Sequence, residues 1–253
     1  MHVMLTRKID EFSPQLQTVV DLAKTAAGYP DTNVLITGEA GTGKERLARY
    51  IHNYSSRKDE KFYVVDCSAI EIPQFEQEFF GYKKGLVAGS TKGKAGFFEK
   101  CNRGTLFLEN IAFLPLNLQI KIIRALEEKL VTRVGDTKTI QTNFRIISST
   151  DSDLEKMVKK RLFRLELLHR LNTLHINIPP LRDRREDIPV LLNDFILEFS
   201  TKLGKPVPLI TETTIEKLLN YPFNGNVREL RNMTERALIQ CNENILEIDH
   251  FLY

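Results

Sequence analysis

Between residues 38 and 44 the chain reads Gly-Glu-Ala-Gly-Thr-Gly-Lys, the G-x-x-x-x-G-K spacing that suits a triphosphate. Glycines let the backbone curl until its N–H groups, and the N-terminus of a following helix, face phosphate oxygens. Lys44 would then neutralise the β and γ charges. The residues offered to a nucleotide are Gly38, Glu39, Ala40, Gly41, Thr42, Gly43, Lys44 and Glu45. Glu45 stands where a Ser or Thr hydroxyl commonly reaches magnesium. A merely glycine-rich turn is the plainer alternative, but an apolar strand signal precedes this loop and a helix signal follows it, which is the context phosphate binding needs.

The elements that must position this loop are legible as alternation. Short β-branched or aromatic runs predict strands over 32–37, 62–67, 104–109, 144–149 and 174–178, and segments of helical period over 44–54, 116–129 and 154–162 lie between them. That alternation predicts an α/β fold, a parallel sheet covered by helices. After Pro179 and Pro180 the strand signals stop, and apolar spacing of three and four predicts helices over 188–203, 214–219 and 227–240, a small helical subdomain. Thr211 or Thr213 could cap its middle helix. The organisation expected is a lead-in over 1–25, a nucleotide-binding core over 26–180 and a helical lid over 181–253.

The bulk numbers exclude several classes. With 253 residues, 42% hydrophobic and 27% charged, the chain can bury a sizeable core, and it has no apolar run of bilayer length. A membrane role is not expected, and the N-terminus lacks the apolar stretch of a secretory signal, so a cytoplasmic location is. Cys67, Cys101 and Cys241 are odd in number and far apart, which reads as buried small hydrophobes. The five histidines have no metal-ligand spacing, and no structural metal is expected. A net charge of +3 names no partner.

From the phosphate loop onward, the order of landmarks resembles the central AAA+ domain of sigma-54-dependent bacterial enhancer-binding proteins. These are GEAGTGKE (38–45), FFGYKKGLVAGS (79–90), GFFEKCNRGTLFLENI (96–111), LQIKIIRALEEKLVTRVG (118–135), FRIISSTDSDL (144–154), LFRLELLHRLNTLHINIPPLRDRREDI (162–188) and YPFNGNVRELRN (221–232). The resemblance implies an αβα AAA+ P-loop core with a helical lid, ATP or ADP with Mg2+ as ligand, self-assembly, and RNA polymerase holoenzyme as partner. It matches Arg164 and Arg170 to arginines offered to a neighbouring subunit's nucleotide, and Arg228 to the lid arginine. Arginine suits that role because it forms charge-assisted forked bonds to phosphate oxygens. The plainer reading of each is a surface salt bridge with Glu166, Asp183 or Glu229.

Against the family's pattern, several positions depart. The strand GTLFLEN should end in an acid that holds magnesium and a second that polarises water; here they are Glu109 and Asn110. Glu109 keeps a metal-binding carboxylate. Asn110 cannot accept a proton, and general-base help contributes roughly 10²–10⁴ in rate. The family's asparagines after the second strand and after SST are Asp66 and Asp151, which add negative charge where a γ-phosphate would be sensed. The sigma-contacting loop, GAFTGA in the family, reads Gly85-Leu86-Val87-Ala88-Gly89-Ser90. Its aromatic anchor and hydroxyl are gone. The expectation is an ATP-binding assembly domain with little hydrolysis and no normal sigma-54 contact. The alternative is a working remodelling ATPase in which Asp66 or Glu109 supplies the missing carboxylate.

Some regulators of this family bind cyclic di-GMP, and Leu5, Arg7, Arg49, Glu198 and Lys202 stand at comparable places, Lys202 where those regulators carry an arginine. Arginines can stack on guanine and fork onto its edge. The plainer reading is a basic N-terminus and solvated helix charges. The chain reads as an excised central domain, with contact to DNA expected from a C-terminal part and signal input from an N-terminal part.

Overall fold

A computed structural model of the chain describes residues 13–86, 92–241 and 244–252. Among them the elements run α1 Pro14–Gly28, β1 Val34–Thr37, α2 Lys44–Asn53, β2 Phe62–Asp66, α3 Phe75–Phe80, β3 Gly81–Tyr82, β4 Lys94–Ala95, α4 Phe97–Lys100, β5 Thr105–Glu109, α5 Leu116–Glu128, β6 Leu130–Thr132, β7 Thr139–Gln141, β8 Arg145–Thr150, α6 Leu154–Lys159, α7 Leu165–Leu171, β9 Leu174–Asn177, α8 Asp187–Leu203, β10 Leu209–Ile210, α9 Glu212–Leu219, α10 Asn226–Gln240 and β11 Ile245–Leu246. They form two compact units. One comprises Leu22–Thr37 and Glu45–Ile176, the other Met1–Asp21, Gly38–Lys44 and Asn177–Tyr253.

The first unit is built on a five-stranded sheet of order β2-β5-β8-β1-β9, in which β2–β5, β5–β8 and β8–β1 are parallel. A parallel sheet covered on both faces needs strands that are apolar throughout, and all six residues of β8 are buried. Only Ile146 and Ile147 among them are apolar; Ser148, Ser149 and Thr150 are buried as well, and so is Arg145 at the strand's start. Its guanidinium donates to the carbonyls of Thr32 (3.0 Å) and Ala26 (2.7 Å), and burial pulls its pKa down to about 10. The core gathers Leu106, Leu108, Ile146 and Leu167 with a cluster of phenylalanines, in which Phe98 stacks on Phe144 at 4.8 Å.

Five predicted strands appear within two residues of their expected ends. The expected helix over 154–162 stops at Lys159, because Arg161 takes a left-handed conformation (φ 60°) before α7 begins. Two short antiparallel hairpins, β3–β4 and β6–β7, were not expected. A Tyr82–Val134 bridge joins them, and Arg133 grips Glu99 with two hydrogen bonds of 2.8 and 2.6 Å.

In the second unit, α8, α9 and α10 bury Phe195, Phe199, Phe223, Leu230 and Phe251 in a common core. Gly204, left-handed at φ 64°, ends α8. Of the two expected caps for α9, Thr211 is the one that accepts from Thr214 N. All three cysteines are buried thiols, and burial pushes the Cys101 thiol up to about 12. No described helix is long and apolar enough to cross a membrane.

Candidate functional site

The loop that follows β1 and opens α2 has the backbone its glycines were expected to give it. Gly41 and Gly43 adopt φ of +80° and +106°, which side-chain-bearing residues avoid. At Gly41 the space is also closed, since a Cβ would lie 2.2 Å from the carbonyl oxygen of Gly225. Thr42 Oγ1 donates to the carbonyl of Glu39 at 2.8 Å. Lys44 is largely buried, and its ammonium donates to the carbonyls of Gly38 (2.7 Å) and Glu39 (3.0 Å). The cation is thereby held against the concave side of the loop.

Three residues beyond the predicted set clamp this loop. Arg182 forks onto both oxygens of Glu39, at 2.8 and 2.6 Å. Asn226 donates to Glu39 Oε2 (3.1 Å) and to the carbonyl of Ala40 (3.0 Å), while its own oxygen accepts from Leu181 N (2.8 Å). The bonds from Arg182 and then Asn226 hold the Glu39 carboxyl at about 2. Arg184, buried beside Asp187 at 3.6 Å, donates to the carbonyl of Thr42 (3.1 Å). Ser13 completes the support by donating its N–H (2.7 Å) and hydroxyl (3.1 Å) to Asp187. Asn226, one residue before the helix expected over 227–240, had no role assigned from the sequence. Its φ of 55° is one that asparagine tolerates.

Arg228 follows on α10, its N–H donating to the carbonyl of Gly41 at 3.3 Å. Its side chain lines a cavity of about 610 Å³ together with Ala40, Asn224, Tyr221 and Arg236. The salt bridge with Glu229 that was the plainer alternative for Arg228 does not form. Glu229 instead accepts from Tyr221 Oη (3.1 Å) and Gly225 N (2.8 Å).

In the first unit, the carboxyl ends of adjacent parallel strands bring Asp66 and Glu109 into register. Open α/β sheets bind ligands at such ends. Asp66 Oδ1 accepts three hydrogen bonds, from Ser68 N (2.9 Å), Ser68 Oγ (2.7 Å) and Asn110 Nδ2 (2.9 Å). Partial burial pushes the Asp66 carboxyl up, but the Ser68 and Asn110 donors outweigh it and hold it below the usual value. Asn110 itself is left-handed, at φ 56°. The structure thus couples two positions that depart from the family's pattern.

Asp151 lies just past β8 and accepts from Ser152 Oγ at 3.2 Å. Arg164 precedes α7, its N–H held by Gln119 Oε1 at 2.8 Å. Arg170 pairs with Glu127, a surface salt bridge as in the plainer reading but with a carboxylate other than Glu166, Asp183 or Glu229. Glu45 pairs with Arg49 at 2.7 Å within α2, Glu198 with Arg231 at 2.7 Å, and Lys202 with Glu235 at 3.3 Å. Leu5, Arg7 and positions 87–90 lie outside the described residues. Among the described residues no group of three or more His, Cys, Asp or Glu is gathered for a metal. A magnesium ion carried in on a nucleotide asks for less, one or two carboxylates beside the phosphates. Glu109, at the end of β5, is the carboxylate the sequence offers for that role.

The phosphate loop, the parallel sheet and the helical unit define a P-loop ATPase fold of the AAA+ class. Residues 9–177 match the family described as the sigma-54 interaction domain, and residues 182–252 match the AAA+ ATPase lid domain; the chain belongs to the sigma-54 interaction domain family. It is 40% identical over 242 residues to the alginate biosynthesis transcriptional regulatory protein AlgB of Pseudomonas aeruginosa, covering 96% of this chain and 54% of that protein. It is 42% identical over 214 residues to the response regulator protein PilR of the same species, covering 85% of this chain and 48% of PilR. Among solved structures, NtrX of Brucella abortus in complex with ADP superposes with a TM-score of 0.87 at 32% identity, covering 95% of this chain and 53% of that one. The chain therefore spans about half the length of these relatives.

Proposed function

We propose that this chain is the ATP-binding, self-associating module of a bacterial transcription regulator of the sigma-54 activator type, with hydrolysis slowed by the amide at position 110. The observation that carries the reading is the loop 38–44, with Gly41 and Gly43 at positive φ and the Lys44 ammonium turned onto the loop's own carbonyls. Triphosphate oxygens are stronger acceptors than those carbonyls and would take over the same ammonium. The solved NtrX structures with ADP and with ATP support the assignment at 32% identity.

Roles follow residue by residue. Glu109 is the carboxylate that fits Mg2+, which would supply charge neutralisation at the transferring phosphoryl group. Arg228 is the lid cation for the phosphates. Arg164 and Arg170 are the arginines presented to a second copy, Arg170 after release from Glu127. Asp66 and Asp151 add negative charge, which favours ADP over ATP. RNA polymerase holoenzyme is the partner, without the normal sigma-54 contact, because Val87 and Ala88 stand where the family's loop carries its phenylalanine and threonine. Contact with DNA belongs to other segments of a longer protein. Control by cyclic di-GMP finds no support in the described residues, because Arg49, Glu198 and Lys202 each have a local ion-pair partner.

Titration with a fluorescent ATP analogue tests the reading. Saturable binding that weakens at least about 10-fold in Lys44→Ala is the expected result, since that change removes a charge-assisted bond. Equal signals from both proteins would exclude the loop as the nucleotide site.

A further inference from the structure

The loop at 38–44 carries a negative charge of its own, at Glu39, and a carboxylate beside phosphate oxygens repels them. Glu39 and Lys44 are the two charged side chains of this stretch, and left to themselves they cancel. The structure commits the carboxylate elsewhere. Its Oε1 accepts from Arg182 at 2.6 Å, and its Oε2 accepts from Arg182 at 2.8 Å and from Asn226 at 3.1 Å. These bonds hold the carboxyl at about 2, so it carries its full charge at neutral pH and needs a cation to offset it. Arg184, which also touches the loop, is paired with Asp187 at 3.6 Å. The forked cation that faces Glu39 is Arg182, and with that charge offset the Lys44 ammonium is left to an anion.

We propose that Arg182 is a positioning residue that sets the charge preference of the phosphate loop: by fixing and neutralising the Glu39 carboxylate, it lets the loop favour triphosphate over diphosphate. The inference rests on the ATP-binding reading above. Every residue it uses, Glu39, Lys44, Arg182 and Asn226, belongs to one compact unit. Within that unit the two residues that grip Glu39 have separable duties. Asn226 also anchors the backbone, donating to the carbonyl of Ala40 at 3.0 Å and accepting from Leu181 N at 2.8 Å. Arg182 supplies the charge. Removing that charge returns an uncompensated carboxylate to the loop, and the penalty grows with the charge of the ligand and shrinks with added salt. Removing the Glu39 charge as well restores the balance, with Lys44 facing the phosphates. A brace that acted through shape alone would lose affinity equally for every ligand, at every salt concentration, and would gain nothing from the second change.

The test measures the affinity of the whole chain for ATP and for ADP, at low and at high salt, in wild type, Arg182→Gln, Arg182→Lys and Glu39→Gln/Arg182→Gln, with a thermal melt of each unliganded protein. Arg182→Gln keeps a hydrogen-bond donor and removes the charge, whereas Arg182→Lys keeps the charge and removes the fork. Arg182→Gln is expected to bind ATP at least about 10-fold more weakly than wild type, with a smaller loss for ADP and both losses narrowing at high salt. Arg182→Lys and the double variant are expected to stay within about 3-fold of wild type for ATP, and the double variant, which has no charge left to compensate, guards against a folding loss in the single one. Wild-type ATP affinity in Arg182→Gln, a double variant as weak as Arg182→Gln, or losses equal for ATP and ADP and indifferent to salt would overturn the proposal and leave ATP binding standing. Absence of binding by the wild-type chain would instead refute the ATP-binding reading itself.

Discussion

Single residues decide whether the phosphate loop can keep its shape, and two of its glycines separate strain from space. Gly41 is both left-handed and closed in by Gly225 O, whereas Gly43 is left-handed with no neighbour within 4 Å of a would-be Cβ. Gly41→Ala should therefore cost more stability than Gly43→Ala, roughly 3 kcal/mol against roughly 1, as read from urea unfolding. Equal costs would mean the loop does not sit against Gly225. A second prediction concerns pH. The Glu39 carboxyl is held at about 2, against an ordinary 4.5, by its bonds from Arg182 and Asn226. A depressed carboxyl stabilises the folded state above its unfolded value and stops doing so as pH falls through the folded one. The urea-midpoint gap between wild type and Glu39→Gln should hold steady above about pH 5 and close between about 4.5 and 2; a gap independent of pH would contradict the clamp. The loop was plain in the sequence because its spacing is contiguous. The clamp was not, because Arg182 and Asn226 reach Glu39 across 143 and 187 residues, a separation that no local pattern reports.

At the scale of elements, β8 joins a legible signal to an illegible one. Its run of β-branched and small residues reads as a strand, and the structure places it between β5 and β1. The sequence does not say that Arg145 is buried there, bonded to the carbonyls of Ala26 and Thr32. Arg145→Met should cost roughly 1–3 kcal/mol, since it leaves the Thr32 carbonyl without this donor while Ala26 O keeps the N–H of Tyr29 at 3.2 Å. A loss under about 0.5 kcal/mol in chemical denaturation would show that water replaces the guanidinium. The hairpins β3–β4 and β6–β7 escaped notice because strands of two or three residues are too short to show a period. Their pairing rests on contacts such as Arg133 with Glu99, which are also non-local.

At the scale of the whole molecule, the α/β core and helical lid expected from alternation, and the family expected from the ordered motifs, are what the structure and the comparisons show. Asp66 and Asn110 stood in the sequence as two separate departures from the expected pattern. Only the 2.9 Å bond between them makes them one arrangement. The most direct measurement is phosphate release by the wild-type chain, at concentrations that promote self-association, with bound ATP quantified on the same sample. Saturable binding with turnover at least about 10²-fold below an ordinary enzyme rate of about 10 s⁻¹ is the predicted result. Turnover near that ordinary rate would contradict the claim that the amide at position 110 slows hydrolysis.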